Sequence, residues 1–194
     1  YFRVAAVNAG GESFDSEVVA VKPSASPERL LIVNGFDRLD STLSPVDPFF
    51  TGADRARLNG GNSFDFPRQV AGAINAAGAT PAIATASNEA IASGSIDLND
   101  YDAVVWIAGT ESSVDESFDA AEQAAVAAYL SGGGKLFVSG AEIGWDLDNL
   151  NNGRAFYNDS FRADYVADDA GTYNATGVAG SIFEGLNLEF DDGS

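Results

Sequence analysis

Cysteine, histidine and methionine are absent from this 194-residue chain, and cations are scarce: ten Lys and Arg stand against 29 Asp and Glu. Without cysteine there is no disulfide framework, no thiol nucleophile and no zinc-thiolate site. Without histidine the commonest general base and transition-metal ligand is missing. A Ser-His-Asp triad cannot be assembled from this chain. A hard cation held by oxygen ligands is all that remains for a metal, so Ca²⁺ stays open while no cofactor is required. The formal charge of −19 repels DNA, RNA and anionic lipid, which argues against nucleic-acid and membrane-surface partners. No apolar run reaches the roughly 18 residues of a membrane span, so membrane insertion is not expected.

What is present suffices for a core: 45% of residues are hydrophobic and 11% aromatic, a composition unlike that of disordered chains. Cysteine avoidance fits a secreted or cell-surface bacterial protein. The chain starts without Met inside a strand-like run and stops without a clear terminal element. It is therefore expected to be an excerpt of a longer polypeptide, truncated at its C-terminus.

Residues 1–22 alternate apolar and polar in two runs, with Asn8-Ala9-Gly10-Gly11-Glu12-Ser13 between them as a hairpin loop. Pro23 to Glu28 reads as a linker, and a domain boundary is expected there. Leu30–Asn34 is a short apolar run suited to a fully buried parallel strand. Residues 35–65 show no period. Pro67–Ala77 predicts a helix with Pro in its first turn and Gly78 as C-cap. Strands are predicted at Pro81–Thr85, Tyr101–Ala108 and Lys135–Ser139, and helices at Glu89–Ser93, Ser117–Leu130 and Arg154–Arg162. Thr172–Leu186 alternates weakly and reads as antiparallel strand with turns. Strands and helices in alternation argue for βαβ units around a parallel sheet.

Two resemblances sharpen this picture. Tyr1, Arg3, Val4, Ala6, Asn8, Gly11, Ser13 and Ser16 resemble the last two strands of a fibronectin type III domain. The resemblance implies a β-sandwich module upstream. A two-stranded remnant is not stable by itself and should pack on the neighbouring domain. Glu122-Gln123 leading into Tyr129-Leu130, then Gly132-Gly133-Gly134-Lys135-Leu136-Phe137-Val138-Ser139-Gly140, is similar to the class I glutamine amidotransferase-like superfamily over residues 29–145. That likeness implies an α/β fold, a three-layer parallel-sheet sandwich of flavodoxin-like type, with the fibronectin type III remnant at its N-terminus. The implied domains are 1–22, a linker 23–28, and an α/β domain 29–194. Catalytic members of the superfamily carry a Cys at the elbow and a His further on. Ala141 and Glu142 stand at the elbow here, so no amidotransferase role carries over. The nearer likeness is to versions of the domain that accompany fibronectin type III modules in secreted bacterial proteins.

Ligands of open α/β sheets bind beyond the carboxyl ends of the strands. That rule selects Asn34, Asp37 and Arg38; Ser87, Asn88 and Glu89; Thr110, Glu111 and Ser112; and Ser139, Glu142, Trp145 and Asp146. These residues would make an acidic, Asn-rich pocket for a cation or for a sugar against Trp145. Paired carboxylates can also divide acid and base roles, as in glycosidases, which singles out Glu142, Glu111 and Asp37. The competing reading makes the same groups helix caps, turn formers and a partner for Arg38. Asp146, Asp148 and Asn149 place oxygen ligands as a calcium loop does, without the closing Glu; the rival is a solvated turn. Asn158 and Asn174 head glycosylation sequons.

The expectation drawn from all this is a non-catalytic interaction or architectural module of a larger secreted or surface-associated bacterial protein. Its partners would be the other domains of that polypeptide and a polysaccharide or cell-wall ligand. The alternatives are a carboxylate-dependent glycan or cell-wall hydrolase, and a calcium-stabilised adhesin or filament subunit.

Overall fold

The structure, a computed structural model, describes residues 1–13, 15–36, 65–111 and 113–190. Two compact units form, Tyr1–Asp164 and Tyr165–Ser194. The first is built around a five-stranded sheet. β1 (Val7–Asn8) and β2 (Gly11–Glu12) form a small antiparallel hairpin at its N-terminus. The sheet itself contains β3 (Val21–Lys22), β4 (Arg29–Asn34), β5 (Ala82–Ser87), β6 (Ala103–Gly109) and β7 (Leu136–Gly140). Their order is β3-β5-β4-β6-β7, with β4, β5, β6 and β7 parallel and β3 antiparallel on the outside of β5.

Strand β4 lies at the heart of the sheet because its run is apolar on both faces: Leu31, Ile32 and Val33 are all fully buried. Period-2 geometry sends them to opposite sides. Ile32 joins Ile83 and Val105 under helix α1 (Phe66–Ala76), through Ala71, Val70 and Ile74. Leu31 and Val33 join Val104, Trp106 and Ala108 on the other face, under α2 (Asn88–Ala92) and α3 (Ala120–Ser131), through Ile91, Val126 and Tyr129. Helices thus cover both faces of a mostly parallel sheet, a layering compatible with a three-layer α/β sandwich.

The helix ends follow local rules. Pro67 sits in the first turn of α1, where its missing N–H costs nothing, and Gly78 beyond the C-terminus takes φ +77°. α3 opens on a capping box: the Glu122 N–H donates to Asp119 Oδ1 at 2.7 Å, and the Asp119 N–H donates to Glu122 Oε2 at 2.8 Å. That reciprocity accounts for a glutamate being buried on the inner side of a helix.

The stretch expected as a buried strand at Lys135–Ser139 differs from that reading. It forms β7, Leu136–Gly140, which lies at the border of the sheet among the described residues and alternates half-buried with exposed positions. Phe137, in register with Val105, lies on the face that α1 covers over β4 and β6 but not over β7, and is 50% exposed. Beyond β7 come a π-helix, Trp145–Asn149, and α4 (Arg154–Ser160). No helix among the described residues is long and apolar enough to cross a membrane.

Among the described residues of the second unit, β8 (Asn174–Thr176) and β9 (Asn187–Glu189) form an antiparallel ribbon.

Candidate functional site

From β4 the chain crosses to β5 on one side and then returns past β4 to β6 on the other. A single hand of crossover requires the helices of the two directions to lie on opposite faces, as α1 and the pair α2 and α3 do. Such a reversal falls at the carboxyl ends of β4 and β6, the place where open α/β sheets bind ligands. Register brings the strand ends level: Ser87, Asn34, Ile107 and Ser139 lie side by side across the sheet. A bulge at the end of β6 shifts the pairing so that Gly109 meets Gly140, and such kinks re-aim the chain at sheet rims. Gly109 adopts φ +56°, and a Cβ there would come 2.5 Å from the Phe66 ring. The turn accepts no larger residue.

At the centre of this edge the polar groups are turned inward. Asn34 is almost wholly buried; its Nδ2 donates to Phe36 O at 2.8 Å and to the Glu17 carboxylate, while Oδ1 has no hydrogen-bond partner among the described residues. Glu17 belongs to the N-terminal arm, so the arm reaches over the end of β4. Asn88 begins α2 with its Oδ1 buried and unpartnered among the described residues, and Glu89 beside it is exposed. Glu111 is 2% exposed. Asp37, Arg38 and Ser112 lie outside the described residues.

The acids beyond β7 are also built into the protein. Asp146 is 0% exposed. One of its oxygens accepts from the Ser117 N–H at 2.8 Å and the other from Asn152 Nδ2 at 2.7 Å. A buried carboxylate is stable only when bonded in this way, and the result is a clamp between the loop before α3 and the loop before α4. Asp148 takes Arg154 Nε at 2.8 Å and Asn158 Nδ2 at 3.3 Å. The stretch over Asp146, Asp148 and Asn149, which reads in sequence as a calcium loop, forms a π-helix in which both carboxylates accept from protein donors. No cluster of three or more His, Cys, Asp or Glu placed to hold a metal occurs among the described residues. Glu142 and Trp145 are half-buried in the same segment.

Open space lies next to these residues. A cleft of about 380 Å³ is lined by Val138, Ser139, Gly140, Ile143, Gly144, Tyr157, Phe161 and Ala163. Among the described residues, Ser139 and Tyr157 are its only polar members, each carrying a hydroxyl. Burial, then the nearby charges of Asp148 and Asp164, hold the Tyr157 phenol above its usual range, so it stays neutral and can both donate and accept. An aromatic chain supports the wall: Trp106–Phe118 at 4.8 Å, Phe118–Phe156 at 5.7 Å, Phe156–Phe161 at 4.7 Å and Tyr157–Phe161 at 6.0 Å between centroids. Sequence reasoning reaches Ser139 but misses Tyr157 and Phe161. Their four-residue spacing on a predicted helix is the available signal.

No protein-family model, curated protein or solved structure matches the chain.

Proposed function

We propose that this chain is a non-catalytic interaction module of a larger secreted or surface-associated bacterial protein, and that it binds through the cleft at the carboxyl end of β7. One observation carries the reading: the cleft is lined by apolar residues with Ser139 and Tyr157, while Asp146, two residues beyond the lining Gly144, and Glu111 at the end of β6 are buried. Glycoside hydrolysis needs two carboxyl groups about 5–9.5 Å apart facing a substrate. A pocket of aromatic wall and hydroxyl donors instead suits an uncharged polar ligand with apolar faces, such as a sugar ring.

The parent fold is proposed as the amidotransferase-like type, joined to the end of a fibronectin type III module. The strand order, with the first two parallel strands reversed, and the helices on both faces support the first part. The pairing of Phe2 with Val19 and of Val7 with Glu12 supports the second.

The test uses soluble β-glucan and peptidoglycan fragments as probes. Wild type and Glu142→Gln should both release no new reducing ends. Amide shifts on addition of the probe should centre on Ser139, Tyr157 and Phe161 and vanish in Tyr157→Ala. Cleavage by wild type that is lost in Glu142→Gln would replace this reading with the hydrolase.

A further inference from the structure

The ribbon of the second unit separates its side chains by chemistry. Its pairs are Asn174 with Glu189, Ala175 with Leu188 and Thr176 with Asn187. Backbone hydrogen bonds extend the same register at both ends, from the Gly177 N–H to Leu186 O and from the Phe190 N–H to Tyr173 O, each 2.8 Å. Directly opposed residues share a face of an antiparallel pair, and neighbours along a strand alternate. One face therefore carries Tyr173, Ala175, Leu186, Leu188 and Phe190, and the other carries Asn174, Thr176, Asn187 and Glu189.

Within the second unit no described residue covers the apolar face. Tyr173 and Phe190 are 56% and 57% exposed, and Leu186 and Leu188 are nearly as open. An isolated two-stranded ribbon is marginal in water, and alternation this strict is the pattern of a strand with one face covered. The connecting turn is fixed by its own bonds, among them the Gly180 N–H to Glu184 Oε2 at 2.8 Å and the Ser181 hydroxyl to Val178 O at 2.7 Å. The ribbon is thus preformed.

Charge chooses the occupant. Residues 165–190 contain Asp168, Asp169, Glu184 and Glu189 and not one Lys or Arg. A second copy would bring two such acidic units together, each within a chain of net charge −19, and like charges brought together at an interface are costly. Anionic lipid is repelled for the same reason. A polysaccharide platform needs polar groups among its aromatics to bond hydroxyls, and apart from the Tyr173 hydroxyl this face has none. We propose that the apolar face of the 173–190 ribbon is a protein-docking surface whose partner presents an apolar patch rimmed by lysine and arginine. It is independent of the β7 cleft and of whatever binds there.

The test is made on the full chain with a short fluorescent peptide of alternating valine and lysine, against a control with glutamate for lysine. The lysine peptide should bind with a Kd on the order of 10–100 μM, as befits so small a patch. Leu188→Ser combined with Phe190→Ser should weaken it by about tenfold or more without shifting the melting temperature, and the glutamate peptide should not bind. Failure of the lysine peptide to bind overturns the proposal. So does equal binding by the double variant, which would assign the attraction to general charge. A fall in melting temperature would mean that the free chain already covers the face. Dimerisation or retention on insoluble cellulose, either one abolished by the double variant, would give the face to a second copy or to a polysaccharide.

Discussion

The two borders of the five-stranded sheet are finished in different ways. On the β5 side the N-terminal arm closes the border. Val21 and Lys22 pair with Ala84 and Ile83, the Thr85 N–H donates to Ala20 O at 3.0 Å, and the Ala20 N–H donates to Thr85 Oγ1 at 2.7 Å. Just before β5, Ser24 Oγ donates to Thr80 O. On the β7 side no further strand is paired among the described residues, Phe137 is half exposed, and the hydroxyl-lined cleft opens beside the strand end. Unpaired borders invite other chains, and proteins commonly cover them. Here the arm acts as a guard on one border, while the open border is the one next to the cleft.

The strongest way to break the comparison is Phe118→Ala. The Phe118 ring touches Trp106 from the sheet and Phe156 and Phe161 from the α4 region, and it is 1% exposed. Its loss should cost about 3–5 kcal/mol in denaturant unfolding. Native-state hydrogen exchange should rise most around α4 and the cleft, and least at the border guarded by the arm. Equal acceleration on both sides would mean that the two borders are not independently supported.

A gentler substitution, Thr85→Val, examines the guarded border. It keeps the side-chain volume but removes the oxygen that accepts the Ala20 N–H. The expected loss is about 1 kcal/mol, with faster exchange at the Ala20 amide and unchanged amide shifts at Tyr157. An Ala20 amide as protected as in wild type would show that the arm is not held by this bond.

These two substitutions also mark what was legible in the sequence. The apolar run at Leu30–Asn34 and the pattern at Tyr101–Ala108 predict strands because both are dense in β-branched and aliphatic residues, and the structure has β4 and β6 there. Pro67 and the Gly132–Gly134 run mark a helix start and a helix end for local steric reasons. The alternation of residues 1–22 predicts strands in the arm, but its choice of β5 as partner leaves no local trace, because partner choice is a tertiary property. The border position of β7 depends on strand order, a tertiary property. The bond from the Ser117 N–H to Asp146 leaves no trace in Asp146-Leu147-Asp148, because its donor lies far upstream. In the second unit the alternation is visible, but its register is not: the expected stretch ends at Leu186, whereas β9 begins at Asn187. The cleft's phenol belongs to the same category, since Tyr157 acquires its surroundings only when α4 folds back beside the end of β7.

Tyr157→Phe is the smallest expected effect and the one that isolates the cleft side. Near neutral pH both forms carry an uncharged ring, so stability should change by less than about 0.5 kcal/mol. Alkaline pH separates them. Burial, followed by Asp148 and Asp164, raises the phenol's pKa above the 10.0 of a free tyrosine, which means that the folded state favours the protonated form. The contribution is present in full below the unfolded value and is lost as pH rises through the folded one, because the unfolded chain releases its proton first. Unfolding followed from pH 8 to pH 11, a range chosen around the ordinary tyrosine pKa of about 10, should thus show wild type losing stability more steeply than Tyr157→Phe above about pH 10. Tyr129, raised chiefly by its own burial, adds an alkaline loss common to both proteins and cancels in the difference. Parallel curves would mean that the Tyr157 hydroxyl is as hydrated in the folded chain as in the unfolded one. The cleft would then lack the sheltered donor on which its binding role rests.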